Sequence, residues 1–211
     1  WLVGDPTRSE VRFPAGDAEG VADMYVPASP GAHPAVVLFL GVVAAGRDDP
    51  RVVSLASGLA RSNIVVLIPW SPVMAASRRL DPSAVDLLVG AFHNLEENPS
   101  VDPQHIGLGG FCVGASFAAL AAQDKRIRDR VAYVNVFGGY FDARDLLVAI
   151  ASQTRSYGGV VEPWEPRDDS REVFTVHLIE GLEDGRDREV LARMFLEGRI
   201  VDEEKVHSLS E

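Results

Sequence analysis

The sequence is poor in several features that would define a class of protein. Cysteine occurs once in 211 residues, as Cys112, so an internal disulfide is excluded. No apolar run approaches the roughly 20 residues of a transmembrane helix, so we do not expect this segment to enter a membrane. Lysine and arginine number 20 against 31 acidic residues, giving a net charge of −11. Nucleic acids are therefore not expected as partners, since binding them requires neutralisation of phosphates.

Histidine is also scarce, with five residues in the chain. No two of them combine metal-ligand spacing with a nearby carboxylate, so we expect no metal site. The segment Gly107–Gly110 lacks the third glycine of a dinucleotide-binding loop and lies inside a predicted strand, so we expect no nucleotide cofactor either. A single cysteine does not determine the redox compartment; the cytoplasm is the location we expect.

Apolar runs alternate with amphipathic segments along the first two thirds of the chain. A hairpin is predicted over residues 11–27, around an Asp/Gly-rich turn. Runs bounded by Gly and Pro predict buried strands at 35–40, 64–68, 106–110 and 131–137. Helices are predicted between them at 50–62, 83–95 and 115–123. This alternation predicts an α/β fold: a mostly parallel, doubly wound sheet with helices on both faces, preceded by a β-hairpin.

After residue 137 no buried-strand pattern is found, and the chain becomes helical in character. We predict a core at residues 1–142 and a helical cap or insertion at 143–211. A Gly/Pro-rich loop is predicted at 157–166. The helices predicted in the cap are 145–152, 171–182, 187–197 and one beginning at 202–210.

The junction of the third buried strand and the following helix carries the strongest functional signal. Residues 110–114 read Gly-Phe-Cys-Val-Gly. A nucleophile between small residues at a strand-to-helix turn is the pattern of a nucleophile elbow, and Cys112 occupies the nucleophile position. The start of the helix favours a thiolate and then an oxyanion, so the backbone N–H of Val113 is the expected first oxyanion donor.

The alternative interpretation of Cys112 is a buried structural cysteine at a tight turn, where the glycines serve packing alone. The loop after the first buried strand favours catalysis, because acyl transfer needs a second N–H donor from that position. Residues 40–48 form this small-residue loop, and Val42, directly after Gly41, is the expected donor. The loop supports the catalytic interpretation only together with the elbow.

With these residues in view, the chain resembles the α/β-hydrolase superfamily, and within it the dienelactone hydrolase-like proteins with a cysteine nucleophile. Residues 33–41 look like the family's third strand and oxyanion turn, 102–114 like its fifth strand and elbow, and 131–137 like its sixth strand. The resemblance implies a Cys–His–Asp triad, in the chain order nucleophile, acid, histidine, acting on an ester or lactone. It assigns the nucleophile to Cys112 and an oxyanion donor to Val113.

The sequence departs from the family in two ways. Leu40-Gly41 stands where many relatives have His-Gly, and neither the seventh nor the eighth strand, after which the acid and histidine lie, is recognisable. After Cys112 the histidines are His177, expected in a helix with a structural role, and His207, expected in solvent. The possible acids by chain order are Asp142, Asp168, Asp169, Asp184 and Asp187. Either this segment stops short of the remaining strands, which we expect, or the protein is a degenerate relative.

Three functions remain open at this stage. The first is hydrolysis of a small-molecule ester or lactone by Cys112. The second is acyl transfer on the same fold, with the cysteine carrying the acyl group. The third is a non-catalytic binding module with an inert thiol. Four aromatic residues either line an apolar pocket or cover the core: Trp70, Tyr140, Phe141 and Trp164. The oligomeric state is not predicted.

Overall fold

The computed structural model describes residues 4–42, 46–77, 79–140, 142–198 and 209. The chain divides into two compact units, Trp1–Phe141 and Asp142–Glu211. Among the described residues, none of the helices combines the length and the apolar character that a membrane crossing requires.

The first unit begins with a β-hairpin. Strands β1 (Thr7–Ala15) and β2 (Ala18–Val26) pair antiparallel from Thr7 opposite Val26 to Ala15 opposite Ala18. The two-residue turn between them contains Gly16 at φ +61°, a conformation that glycine adopts without strain. The hairpin predicted from the sequence is therefore confirmed, and it begins earlier than the apolar pattern indicated.

Four further strands extend this hairpin into one sheet. They are β3 (His33–Phe39), β4 (Val65–Trp70), β5 (Val101–Phe111) and β6 (Tyr133–Phe137). The order is β1-β2-β4-β3-β5-β6, with β3 to β6 mutually parallel and β2 antiparallel to β4. The predicted mostly parallel sheet is confirmed, with the hairpin attached at one edge and β6 at the other.

Helices cover both faces of this sheet, as predicted. They are α1 (Pro50–Arg61), α2 (Pro72–Ser77), α3 (Ala84–Glu96) and α4 (Val113–Ala121). Val37 and Leu108 face one side and belong to a core with α3 and α4, whereas Val36 and Ile68 face the other side and belong to a core with α1. Adjacent residues of β3 and β4 thus bury opposite faces, which is why these two strands are almost wholly apolar. The prediction of a buried strand at 131–137 was wrong in its burial, since all residues of β6, at the edge of the sheet, are exposed.

Two predicted strand boundaries were wrong, and one helix was missed. Strand β4 does not break at Pro69 but continues to Trp70, because Ala22 and Val21 of β2 pair opposite these two residues. Strand β5 begins at Val101, five residues before the predicted start at 106, because Val101 pairs with His33 before the register shifts. The short helix α2 was not predicted.

The second unit combines helices with a small separate sheet. Its elements are α5 (Ala143–Ser152), β7 (Thr154–Tyr157), β8 (Val160–Pro163), α6 (Asp168–Glu180) and α7 (Gly185–Phe195). The β7–β8 hairpin replaces the loop predicted at 157–166; Gly158 and Gly159, both at positive φ, make its two-residue turn. The helix predicted at 202–210 lies outside the described residues, Leu209 excepted.

Candidate active site

Cys112 is the single residue between the end of β5 and the start of α4, with φ +51° and ψ −131°. A non-glycine residue in this conformation is strained and persists only where its surroundings fix it. The Cys112 N–H donates to the Phe137 carbonyl at 2.8 Å, and its own carbonyl accepts from the Ala115 N–H at 3.0 Å. The thiol itself is exposed. The turn therefore presents the sulfur above the carboxyl end of the parallel strands.

The glycines on either side of Cys112 are required by close backbone approaches. A Cβ on Gly110 would lie 2.5 Å from the Gly114 carbonyl group. A Cβ on Gly114 would lie 2.4 Å from the Phe39 carbonyl oxygen at the end of β3. Both distances are far below contact, and the opposing atoms belong to backbone that cannot swing away. Small residues are thus needed at both positions, as in a nucleophile elbow.

The loop after β3 lies directly against the elbow. Gly41 is at φ +73°, and a Cβ there would lie 2.6 Å from the Gly114 nitrogen. The half-buried Val42 side chain packs against the same core cluster that contains Val113. Residues 43–45 of this loop lie outside the described residues. The structure therefore brings the segment of Val42 to the first turn of α4, where Val113 lies.

The first turn of α4 supplies the electrostatics of the site. Backbone N–H groups in the first turn of a helix lack partners within the helix and carry its partial positive charge. Val113 and Gly114 begin α4 directly after Cys112. An oxyanion formed beside this turn would therefore be stabilised by these N–H groups.

Aromatic residues lie at the ends of β5 and β6, next to the Cys112 turn. The Phe111 and Phe137 rings stack with centroids 5.2 Å apart and 15° between planes, and Phe137 is 54% exposed. Burial raises the pKa of Tyr140, and the charge of Cys112 acts in the same direction. The Tyr140 N–H donates to Ser116 Oγ at 3.2 Å, which ties the segment to α4. The position of Tyr140 just beyond a predicted strand was the only sequence signal for its place near the elbow. Phe141 lies outside the described residues.

The histidines of the first unit have partners away from the elbow. His33 Nε2 is 3.0 Å from the Ser29 carbonyl, His93 Nδ1 is 2.9 Å from Glu96, and His105 Nδ1 is 2.7 Å from Asp102. All three lie toward the amino ends of β3 and β5 or the carboxyl end of α3, opposite the end of the sheet that carries Cys112.

Four candidate acids of the second unit have local partners within that unit. Asp142 and Asp184 cap α5 and α7 by accepting from backbone N–H groups in their first turns. Asp168 bonds Arg171, and Asp169 accepts from the Ser170 N–H at 2.9 Å. Of the remaining candidates, His177 of α6 is half-buried and Asp187 of α7 is buried. His207 lies outside the described residues.

A buried carboxylate that the sequence did not reveal, Asp23, lies near the loop that follows β3. Asp23 on β2 is 3% exposed and accepts from Arg47, Arg8 and the Trp70 indole N–H. Burial acts to raise its pKa, but these hydrogen bonds outweigh it and hold the pKa of Asp23 below its usual value. Trp70 therefore donates its indole N–H to a buried charge, while its ring packs against the core on the α1 side of the sheet.

We expect this carboxylate to make the protein acid-sensitive. Because the folded-state pKa of Asp23 is lowered, its stabilising contribution is complete above the unfolded pKa of about 4 and is lost as pH falls through the folded value. The groups facing it, Arg8, Arg47 and Trp70, do not titrate in that range. Urea unfolding from pH 6 to about pH 2 should show a smaller decline in unfolding free energy for Asp23→Asn than for wild type. Asp5→Asn, at an exposed ion pair with Arg61, should retain the wild-type decline.

Within the described residues, no group of three or more His, Cys, Asp or Glu side chains is placed to hold a metal ion.

Comparison with known proteins identifies the fold. No family model matches the chain, and no curated protein matches it. Solved structures do match. A dienelactone hydrolase from Anabaena variabilis is 23% identical with a TM-score of 0.51, over 71% of this chain and 68% of that one. An esterase from the archaeon Pyrobaculum calidifontis is 23% identical with a TM-score of 0.52, over 63% of this chain and 44% of the esterase.

A dienelactone hydrolase-like promiscuous phosphotriesterase from metagenomic libraries is 19% identical with a TM-score of 0.50, over 64% of this chain. The chain spans 60% of that phosphotriesterase and under half of the esterase. The protein therefore has the α/β-hydrolase fold, as its sequence resemblance implied. Within that fold, the structures it is similar to include dienelactone hydrolase-like ones.

Proposed function

We propose that the protein hydrolyses small carboxylic esters or lactones with Cys112 as the nucleophile. The observation that carries the proposal is the strained backbone of Cys112, which holds an exposed thiol at the start of α4. Strained backbone conformations cluster at active sites. The names of similar structures, a dienelactone hydrolase and an esterase among them, support ester substrates.

In the proposed reaction, the Cys112 thiolate attacks the carbonyl carbon of the substrate. A carbon–sulfur bond forms, and the carbonyl electron pair moves onto oxygen, where the N–H groups of Val113 and Val42 stabilise it. Collapse of this intermediate expels the alkoxide, which takes up a proton, and leaves a thioester on Cys112. Water then hydrolyses the thioester. The family resemblance implies a histidine oriented by a carboxylate as the group that moves these protons.

The proposal is tested by trapping the thioester. Incubation with p-nitrophenyl acetate should release a burst of one p-nitrophenolate per protein molecule, and mass spectrometry should find one acetyl group on the peptide that contains Cys112. Prior alkylation with iodoacetamide should abolish both signals.

Three other outcomes contradict the proposal. Hydrolysis without an acetylated Cys112 would exclude the cysteine mechanism. Transfer of the acetyl group to an added alcohol in preference to water would favour an acyltransferase. No acetylation, with Cys112 alkylated at the rate of an ordinary thiol at every pH, would favour a non-catalytic binding module.

A further inference from the structure

The chain that leaves β6 runs directly beside the elbow. The Cys112 N–H donates to the Phe137 carbonyl at 2.8 Å, and Gly138 follows Phe137 in the chain. Because a peptide bond is planar, this hydrogen bond places the Gly138 Cα within about 6 Å of the Cys112 nitrogen. The thiol of Cys112 is exposed. Gly138 is therefore a close neighbour of the proposed nucleophile.

Contacts with α4 hold the segment 137–140 in place. The Tyr140 N–H donates to Ser116 Oγ at 3.2 Å, and the Ser116 hydroxyl donates to the Tyr140 carbonyl at 3.3 Å. A Cβ on Gly139 would lie 3.1 Å from the Ala115 Cβ, so this backbone packs closely on α4. The segment is thus attached on both sides of Gly138, and it has little freedom to move away from a side chain added there.

The position of the missing Gly138 side chain is open. No atom of the described residues lies within 4 Å of the point that a Gly138 Cβ would occupy, whereas a Cβ on Gly110 or Gly114 would collide with backbone. Gly138 has φ +64°, a conformation that glycine adopts without strain and that asparagine adopts more readily than most residues. Packing against the described residues therefore does not require a glycine at this position.

The order of the strands places Gly138 on the opposite side of the elbow from Val42. Strand β5 lies between β3 and β6, and all three are parallel. The loop of Val42 follows β3, whereas Gly138 follows β6. With the carbonyl oxygen bound by the N–H groups of Val113 and Val42, the other substituents of the carbonyl carbon lie away from that loop. The β6 side, where the Phe137 side chain is more than half exposed, is available to an apolar substituent.

We propose that Gly138 is a specificity-determining residue, whose missing side chain leaves room beside Cys112 for a hydrocarbon substituent of the substrate carbonyl. This inference rests on the proposed function and narrows its substrate class to esters with a group larger than methyl on the β6 side. A side chain at position 138 would occupy part of this room. It should therefore impair the reaction of large esters more than that of small ones.

The test compares Gly138→Asn with wild type on three esters. Vinyl acetate is small on both sides of the carbonyl, vinyl hexanoate has a longer acyl chain, and p-nitrophenyl acetate has a larger alcohol. For at least one of the two larger esters, we expect Gly138→Asn to lower kcat/KM by about tenfold more than for vinyl acetate, measured by titration of the released acid. The ester that is affected identifies the substituent that lies beside Gly138.

Gly158→Asn is the matched control. Gly158 has φ +58°, lies in the turn between β7 and β8, and likewise has no atom of the described residues within 4 Å of its Cβ position. The backbone cost of asparagine should thus be similar in the two variants, and Gly158→Asn should hydrolyse all three esters as wild type does. If Gly138→Asn does not fold, Gly138→Ala, with a smaller side chain, should show a smaller change in the same direction.

Alkylation of Cys112 measures the same space without hydrolysis. An iodoacetamide forms a carbon–sulfur bond with the thiolate and expels iodide, so the oxyanion donors take no part. Relative to wild type, Gly138→Asn should slow the reaction with N-tert-butyl iodoacetamide more than the reaction with iodoacetamide, because only the first reagent carries a bulky group.

The contrary results are distinguishable. Equal changes for all three esters, or no change for any, overturn the role of Gly138 in specificity while Cys112 remains the nucleophile. An equal effect of Gly138→Asn on both alkylating agents also overturns it, because the added side chain then does not fill space beside the thiol. Unchanged ester hydrolysis after removal of the Cys112 thiol overturns the proposed function, and the substrate assignment with it.

Discussion

Replacing Cys112 by alanine should lower kcat/KM for activated esters by at least about 10³-fold, because the proposed covalent intermediate forms on its sulfur. The side chain is exposed, so its removal leaves no cavity in the core. The purified variant should have a wild-type circular dichroism spectrum and melting temperature. Hydrolysis at the wild-type rate by Cys112→Ala would contradict the mechanism directly.

Replacing Cys112 by glycine adds a measurement that depends on the backbone. Glycine adopts φ +51° without the strain of a side chain, so the free energy of unfolding should rise by about 1 kcal/mol while activity is lost. A cysteine that served packing alone would give the opposite sign, since its removal would destabilise the fold. Gln153→Gly, at an exposed residue with φ +53°, should gain similar stability and keep wild-type hydrolysis.

The fold could be predicted because its signals are local. A strand buried on both faces, such as the one containing Val36 and Val37, is apolar along its whole length and ends at Gly or Pro. The elbow was equally visible, since the backbone contacts at Gly110 and Gly114 exclude any side chain there. Such features need no knowledge of distant partners.

The Asp23 network could not be predicted for the opposite reason. An aspartate between apolar residues of β2 gives the same sequence pattern whether its side chain faces solvent or a buried arginine. Its partner Arg47 is 24 residues away and Trp70 is 47 residues away, and only the folded sheet brings them together. The β7–β8 hairpin was missed because Thr154–Tyr157 is polar and exposed, although Gly158-Gly159 was an available turn signal.

Replacing Gly114 by alanine should strongly destabilise the first unit. The added Cβ would lie 2.4 Å from the Phe39 carbonyl oxygen and 2.7 Å from the Gly41 nitrogen. Both neighbours are backbone, so relief requires β3 and its loop to move away from α4. We expect the free energy of unfolding to fall by about 3 kcal/mol, at the upper end of overpacking costs.

The same movement should separate the two proposed oxyanion donors, so the folded fraction of Gly114→Ala should also lose most of its hydrolysis. Urea unfolding gives the stability, and kcat is measured on the fraction that remains folded. Gly58→Ala is the matched control: this glycine lies in α1 with open space around it, and alanine there should stabilise the helix by about 0.5–1 kcal/mol without changing kcat. If Gly114→Ala retains wild-type kcat, the contact between the β3 loop and the elbow serves packing and not the reaction, because the donors would then tolerate being pushed apart.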